Sequence, residues 1–217
     1  MWLVRQSFWF YPFDATMIMR RIEEIARTCY QSAEKMTEDS CSEFCERLVK
    51  NGHAGMFEHV LLSCRIITDR ATGNEIVRHR LASYAQESTR YCNYQKKGLV
   101  FVLPVWIEGY KEGEYNGKHE SLYFEQAKNA AEWEWFLACR RAENGYKRLI
   151  ENGWEPQQAR AVLPLCTKTE IVMSANLREW QHFFKMRCAQ NAHPQLRELA
   201  QGMQEFLREY GLAVFFP

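Results

Sequence analysis

The sequence has almost no excess of charge of either sign: 28 Lys and Arg stand against 27 Asp and Glu, a formal net charge of +1. Such a chain has no global attraction for nucleic acid or an anionic membrane, so any anion it binds must be met by a local concentration of cations. No apolar run approaches the roughly 20 residues of a membrane-spanning helix. Met1-Trp2-Leu3-Val4-Arg5-Gln6-Ser7 lacks the charged start, apolar middle and small-residue cleavage site of a secretory signal. A cytoplasmic location is the default expectation. Cysteines occur at 29, 41, 45, 64, 92, 139, 166 and 188, and no two have Cys-x-x-Cys spacing. A structural zinc site is therefore not expected, nor is any other metal. Without a secretory signal the cysteines read as reduced, mostly buried thiols rather than a disulfide framework. What remains is ordinary: 217 residues, 47% hydrophobic and 25% charged, enough for one domain over 1–217 with a substantial core.

One stretch stands out. Arg78-His79-Arg80-Leu81-Ala82-Ser83-Tyr84-Ala85-Gln86-Glu87-Ser88-Thr89-Arg90-Tyr91 packs three arginines, a histidine, three hydroxyls and two tyrosines together. Guanidinium groups bind phosphate bidentately and stay charged at any working pH. Hydroxyls add donors for phosphate or ribose oxygens, and tyrosines offer flat faces to a base. Short basic clusters are often only solvated surface. Here, however, no lysine occurs until Lys96, and apolar Leu81 and Ala82 sit among the charges. The stretch reads as a nucleotide-phosphate site.

Aromatic-rich residues 1–13 read as a strand or packed arm. Asp14 offers an N-cap to a helix running to about Ala33, with Ile18, Ile22, Ile25, Ala26 and Cys29 on its apolar face. A second helix is expected over Ser40–Lys50, with Phe44 and Leu48 inward and Asn51-Gly52 as its stop. Ser32-Ala33-Glu34-Lys35 matches a Ser-x-x-Lys pattern whose companion motifs are absent. His53-Ala54-Gly55-Met56-Phe57-Glu58-His59 invites a metal reading, but its spacing is not that of a metal-binding helix. Val60–Asp69 reads as a central strand. The pattern then predicts a short helix from about Asn74 carrying Glu75 and Arg78, with Arg78 and Arg80 diverging to serve two anions. A strand at 99–103 stops at Pro104. Residues 108–118 read as a surface loop, and a helix over 120–151 as burying Phe124, Ala127, Ala131, Trp135 and Leu137. Pro156 opens a short helix, Lys168–Ser174 is a further strand, and a closing helix spans about Pro194 to Tyr210. Together these give an α+β fold, a mixed or antiparallel sheet flanked by helices.

The Arg-His-Arg, seven residues, Ser spacing resembles the signature of the flavin-dependent thymidylate synthases, and Arg90 and Tyr91 continue it. Gly52-His53 through Glu58-His59, Ala159-Arg160-Ala161-Val162-Leu163-Pro164 and Asn176 through Arg187 resemble further segments of that family, in the same order. The four segments are spread between residues 52 and 187.

The resemblance implies reductive methylation of dUMP to dTMP by a homotetrameric FAD-dependent methyltransferase with sites shared between subunits. Methylenetetrahydrofolate would supply the carbon, and NADPH the electrons that pass through FAD. It implies that Arg187 lies against the pyrimidine and is the catalytic group. Glu75, Arg78, Gln86, Glu87, Ser88, Thr89, Arg90, Arg160 and Arg187 would contact dUMP. Gly55, Arg78, His79, Arg80, Gln86, Asn176, Arg178 and His182 would contact FAD, with His53 and Tyr91 on the folate or nicotinamide side. Neither nucleic acid nor membrane is an expected partner. Two other readings stay open. Leu163-Pro164-Leu165-Cys166 superficially resembles the cysteine loop of the unrelated thymidylate synthases. Arg78–Tyr91 could also be the stacking and phosphate surface of an RNA-binding module.

Overall fold

The computed structural model describes residues 1–95, 98–116 and 120–216. In chain order its elements are β1 (Trp2–Val4), β2 (Ser7–Phe10), α1 (Ala15–Thr28), α2 (Ser40–Lys50), β3 (Leu61–Asp69), α3 (Arg70–Ile76), β4 (Ala82–Gln86), β5 (Val100–Val102), β6 (Gly113–Glu114), α4 (Glu120–Gln126), α5 (Ala130–Glu151), α6 (Pro156–Ala159), β7 (Lys168–Asn176), α7 (Leu177–Arg187) and α8 (Pro194–Leu207). A four-stranded sheet runs β2-β3-β7-β4, and a three-stranded sheet runs β5-β1-β6. Since β1 is parallel to β5 and antiparallel to β6, the smaller sheet is mixed. The α+β expectation holds, with β3 central. No helix among the described residues is long and apolar enough to cross a membrane.

The chain divides into two compact units. The first comprises Met1–Ser7, Ile66–Val77 and Ala85–Ile171; the second comprises Phe8–Arg65, Arg78–Tyr84 and Val172–Pro217. Strands β3, β4 and β7 each contribute residues to both.

The core of the first unit gathers Leu3, Phe101, Tyr110, Phe136 and Tyr146, all fully buried. Phe136 stacks on Tyr110 with ring centroids 4.8 Å apart. The helix expected over 120–151 is broken. α4 ends at Gln126, and Asn129 caps α5 by accepting a hydrogen bond from the Glu132 N–H at 3.0 Å. Glu132 is the cause: its buried carboxylate accepts from the N–H groups of Glu108, Gly109 and Lys128, each at 3.1 Å. Gly109 is required there, because a Cβ would lie 2.2 Å from the Gln126 carbonyl oxygen. The break resets the helical phase. Phe124 and Ala131 face solvent, and the buried apolar residues of α5 are Phe136, Cys139 and Tyr146. In the expected 108–118 loop, β6 occupies two residues, and residues 117 and 118 lie outside the described residues.

α3 also departs from expectation. It starts at Arg70, where Asp69, the last residue of β3, accepts from the Thr72 N–H at 2.7 Å, and it ends at Ile76. Arg78 and Arg80 therefore lie beyond the helix. β4 was not anticipated, because Ala82–Gln86 shows no apolar alternation and is half-exposed.

In the second unit α1 packs on α2, and α7 on α8. Asp14 caps α1 at the Met17 N–H as expected. The helix stops at Thr28 rather than near Ala33; Gln31 turns the chain with φ +47° and Cys29 is exposed. α2 has the expected bounds, and Gly52 takes the left-handed φ of +70° that its stop needs. α7 buries Trp180, Phe183 and Phe184 and leaves its other face for the site.

Candidate functional site

Strand β7 runs without a loop into α7, and Asn176 is the junction: its side chain accepts from the Glu179 N–H at 2.8 Å. The Leu177 N–H donates to the Val60 carbonyl at 3.0 Å, and the Trp180 indole donates to the Leu62 carbonyl at 3.3 Å. The helix is thus fixed to the sheet at its first turn. Its cavity-facing side then repeats at helical spacing, Glu179, His182, Met186 and Arg187, along one wall of a cavity of about 920 Å³. Arg78, His79, Arg80 and Leu81 line it too, as do Asn176, Arg178 and Glu58. All belong to the second unit. The expected divergence of Arg78 and Arg80 is therefore corrected. Both flank buried His79 in a non-helical segment and line the same space.

The cavity has four guanidinium groups, Arg78, Arg80, Arg178 and Arg187, against two carboxylates, Glu58 and Glu179. That excess favours an anion. Arg178 pairs with Glu58 at the exposed rim. Deeper in, His79 (6% exposed) sits between Glu179 (5% exposed) and Arg187. The Arg187 Nε–H donates to His79 Nε2 at 3.0 Å. Nε2 must then carry a lone pair, so the ring proton is on Nδ1 and is donated to Glu179 Oε1 at 3.1 Å. Burial chiefly holds the His79 pKa below its ordinary value. Glu179 pulls it up, while the Arg187 and His182 charges push it down. His79 is a neutral, oriented link between a carboxylate and a guanidinium.

His79, Glu179 and His182 also place three potential ligand atoms within 4.8 Å of one another, a grouping the sequence did not reveal. A cation there would have to displace Arg187 from Nε2 or the Nδ1 proton from Glu179, with further guanidinium groups around it. The donor set suits an anion better.

A second group of expected residues lies in the first unit. Gln86 donates to Thr169 Oγ1 at 3.1 Å. Gly73 permits the close packing here, since a Cβ would lie 3.0 Å from the Thr169 methyl and 3.3 Å from the Gln86 amide nitrogen. Glu87, expected on substrate, is tied to the protein by three hydrogen bonds. Its carboxylate accepts from the Tyr94 hydroxyl at 2.7 Å and the Lys168 ammonium at 2.8 Å, and its carbonyl accepts from Arg70 at 2.9 Å. Burial, then the Glu87 hydrogen bond, pushes the Tyr94 pKa far up. Beyond this anchor the chain turns. The Ser88 hydroxyl accepts from the Arg90 N–H at 3.3 Å, and Thr89 Oγ1 accepts from Arg160 Nη1 at 3.3 Å. Arg90 lies over the Tyr91 ring at 5.3 Å, and Tyr91 is 77% exposed. Ser88, Thr89 and Arg160 form a hydroxyl and guanidinium group suited to a phosphate, with Arg90 the next residue of the turn. Glu75 sits on α3 in the same unit, half-buried.

The remaining expected residues lie apart from the large cavity. His53 and Gly55 line a separate space of about 270 Å³ in the second unit, with Tyr30, Phe44, Leu48 and Met56. Gly55 is not required by the backbone, for a Cβ there meets nothing within 4 Å. Sequence reasoning missed Glu179 and Glu58 as site residues. Glu179 lies within the Asn176–Arg187 segment, but the resemblance there named Asn176, Arg178, His182 and Arg187 and passed over the acid between them. Glu58 falls in the Gly52–His59 segment, weighed for metal binding and matched to a family segment, but it was assigned no role there.

A family model described as "Thymidylate synthase complementing protein" matches residues 14–210. The chain is 30% identical over 197 residues to the flavin-dependent thymidylate synthase of Geobacter sulfurreducens, covering 88% of this chain and 77% of that one. To the flavin-dependent thymidylate synthase of Pyrococcus furiosus it is 32% identical over 178 residues, 81% of this chain and 66% of that one. A Mycobacterium flavin-dependent thymidylate synthase is 31% identical over 199 residues, 89% and 77% of the two chains. The match thus spans two thirds to three quarters of the length of these relatives.

Proposed function

Because the chain belongs to the thymidylate synthase complementing protein family, we propose that it reductively methylates dUMP to dTMP, with methylenetetrahydrofolate as carbon donor, FAD as cofactor and NADPH as reductant. The observation that carries this reading is the cavity in which Arg78, Arg80, Arg178 and Arg187 outnumber Glu58 and Glu179. A flavin dinucleotide carries a pyrophosphate, and guanidinium forks match phosphate oxygens bidentately. The Asn176 amide and His182 add donors beside them. The donor set fits FAD, with Arg78, His79, Arg80, Asn176, Arg178 and His182 as the residues that would hold it; Gly55 and Gln86 lie outside this cavity and are contacts that only the family resemblance implies. When bound, the flavin supplies the hydride.

The chain's own residues do the rest. Arg187 stays charged at any working pH and stabilises negative charge on the pyrimidine ring as its C5 becomes nucleophilic. His79, held neutral and oriented by Glu179, fixes the Arg187 guanidinium through Nε. Ser88, Thr89, Arg90 and Arg160 hold the dUMP phosphate, and Glu87 positions their turn through Tyr94 and Lys168. Glu75 lies on the substrate side, and His53 and Tyr91 on the folate or nicotinamide side. The chain acts as one catalytic domain in a cytoplasmic homotetramer, where the Ser88–Arg160 set and Arg187 at one site come from different copies. The exposure of Tyr91, Arg90 and Arg160 supports completion by a second chain.

The test is dTMP formation from dUMP, methylenetetrahydrofolate, NADPH and FAD, omitting each in turn, with sedimentation to count subunits. Loss of product without FAD or NADPH is expected. Product formed in the absence of both would refute the flavin route.

A further inference from the structure

Cys139 and Cys166 are used by nothing in the proposed reaction, yet in the first unit their sulfurs are 3.6 Å apart. Cys139 projects from α5 and is 1% exposed; Cys166 is partly exposed in the turn that follows Pro164 and leads into β7. A disulfide needs about 2.05 Å, so the sulfurs must close about 1.5 Å, within reach of small side-chain rotations. The turn itself is held in place. The Cys166 carbonyl accepts from the Val102 N–H at 2.9 Å, the Leu165 carbonyl accepts from the Arg70 N–H at 2.9 Å, and the Thr167 N–H donates to the Pro164 carbonyl at 3.0 Å. The two thiols are therefore kept in contact rather than meeting by chance.

We propose that Cys139 and Cys166 form a peroxide-reactive dithiol, in which Cys166 attacks and Cys139 resolves. The two environments differ in the direction this needs. Hydrogen bonding from Cys139 lowers the Cys166 pKa against its burial. The same Cys139–Cys166 hydrogen bond, then burial, pushes the Cys139 pKa far up. A thiolate is the nucleophile in such chemistry, and access decides which thiol meets oxidant. Cys41 and Cys45, one helical turn apart on α2, offer no equivalent. Both are buried, and burial holds the Cys45 thiol at about 12.

In the first step the Cys166 thiolate attacks a peroxide oxygen. An S–O bond forms, the O–O bond breaks, and hydroxide leaves and is protonated to water. In the second step the Cys139 sulfur attacks the Cys166 sulfur. The S–S bond forms, the S–O bond breaks, and the departing hydroxide takes the Cys139 proton. Two thiols are oxidised, and one hydrogen peroxide is reduced to two waters. Thiol reductants reverse the change by exchange.

The experiment treats the reduced, full-length chain with near-stoichiometric hydrogen peroxide. Remaining thiols are then blocked with N-ethylmaleimide, and peptides are mapped by mass spectrometry without reduction. The expected product is a Cys139–Cys166 linked pair, two hydrogens lighter than the separate peptides, restored by dithiothreitol. It should exceed any linkage to exposed Cys29 roughly ten-fold or more, because contacting groups react at high effective concentration. In Cys139→Ser the sulfenic acid on Cys166 persists and is captured by a dimedone probe; in Cys166→Ser position 139 stays unlabelled. The wild-type map needs neither variant to fold. Linkages to Cys29 at equal yield, or Cys166 oxidised further while Cys139 remains a thiol, would overturn the assignment.

Discussion

His79→Ala removes one side chain and takes a hydrogen-bond partner from each of two charged groups. The Arg187 Nε–H loses its acceptor, and the Glu179 carboxylate, 5% exposed, loses the Nδ1 donor. A hydrogen bond to a charged group contributes about 1.5–3 kcal/mol. Arg187 is only half-buried, which places its share at the low end. The total is about 3–4 kcal/mol, in line with breaking one side of a buried pair. Domains are stable by about 5–15 kcal/mol, so the variant should still fold. Urea denaturation should show a midpoint lowered by about 1–2 M at unchanged slope. Two further variants isolate the cause. His79→Gln keeps one donor and one acceptor and should recover most of the loss. Adding Glu179→Leu to His79→Ala removes the stranded carboxylate and should recover about 1–2 kcal/mol. A His79→Ala midpoint within experimental error of wild type, or a double variant no better than the single, would refute the reasoning. In turnover His79→Ala should lower kcat by about 10–100-fold, the factor matching 1.4–2.7 kcal/mol of lost Arg187 positioning.

Four other outcomes are expected. With its folded pKa below 6.5, His79 contributes stability that is fully present above the unfolded value and is lost as pH falls from about 6.5 toward the folded pKa. Wild type should therefore lose more stability between pH 7.5 and 5.5 than His79→Gln, by at most about 1.4 kcal/mol per pH unit; equal losses would contradict it. Gly109→Ala should cost more than about 2 kcal/mol, read by thermal melting, since its Cβ would lie 2.2 Å from a backbone oxygen and 2.5 Å from Glu132. Arg160→Gln should raise the KM for dUMP about ten-fold or more with a smaller change in kcat, as befits lost ground-state contact. Cys166→Ala should retain turnover within about two-fold; full loss with intact folding and flavin binding would restore the cysteine route.

Elements whose ends carry their own signals were legible in the sequence. α2 lies between a polar start and Asn51-Gly52, and α1 begins at Asp14 as read. The elements that escaped were set by distant contacts. Phe124 through Glu132 is helix-forming except at Asn129, which caps α5; that local signal went unread, and the break is held by three N–H groups converging on Glu132. The start of α3 was hidden because Asp69 ends a β-rich run and caps a helix at once. In the site, the cations were visible because guanidinium clusters are locally conspicuous. The carboxylate that orients them was not. Glu179 lies 100 residues from His79, and an acid beside an anion site runs against local charge logic.

The junction at Asn176 carries a consequence for tolerance to insertion. One residue serves as the last of β7 and the cap of α7, so the chain has no slack there. One added residue would swap the inward and outward faces of the strand and turn the helix by about 100°. Arg187 would swing off His79, and Trp180 would be levered out of the interior. Length at this point is thus as constrained as chemistry. Homologous chains should keep a fixed count from β7 to Arg187.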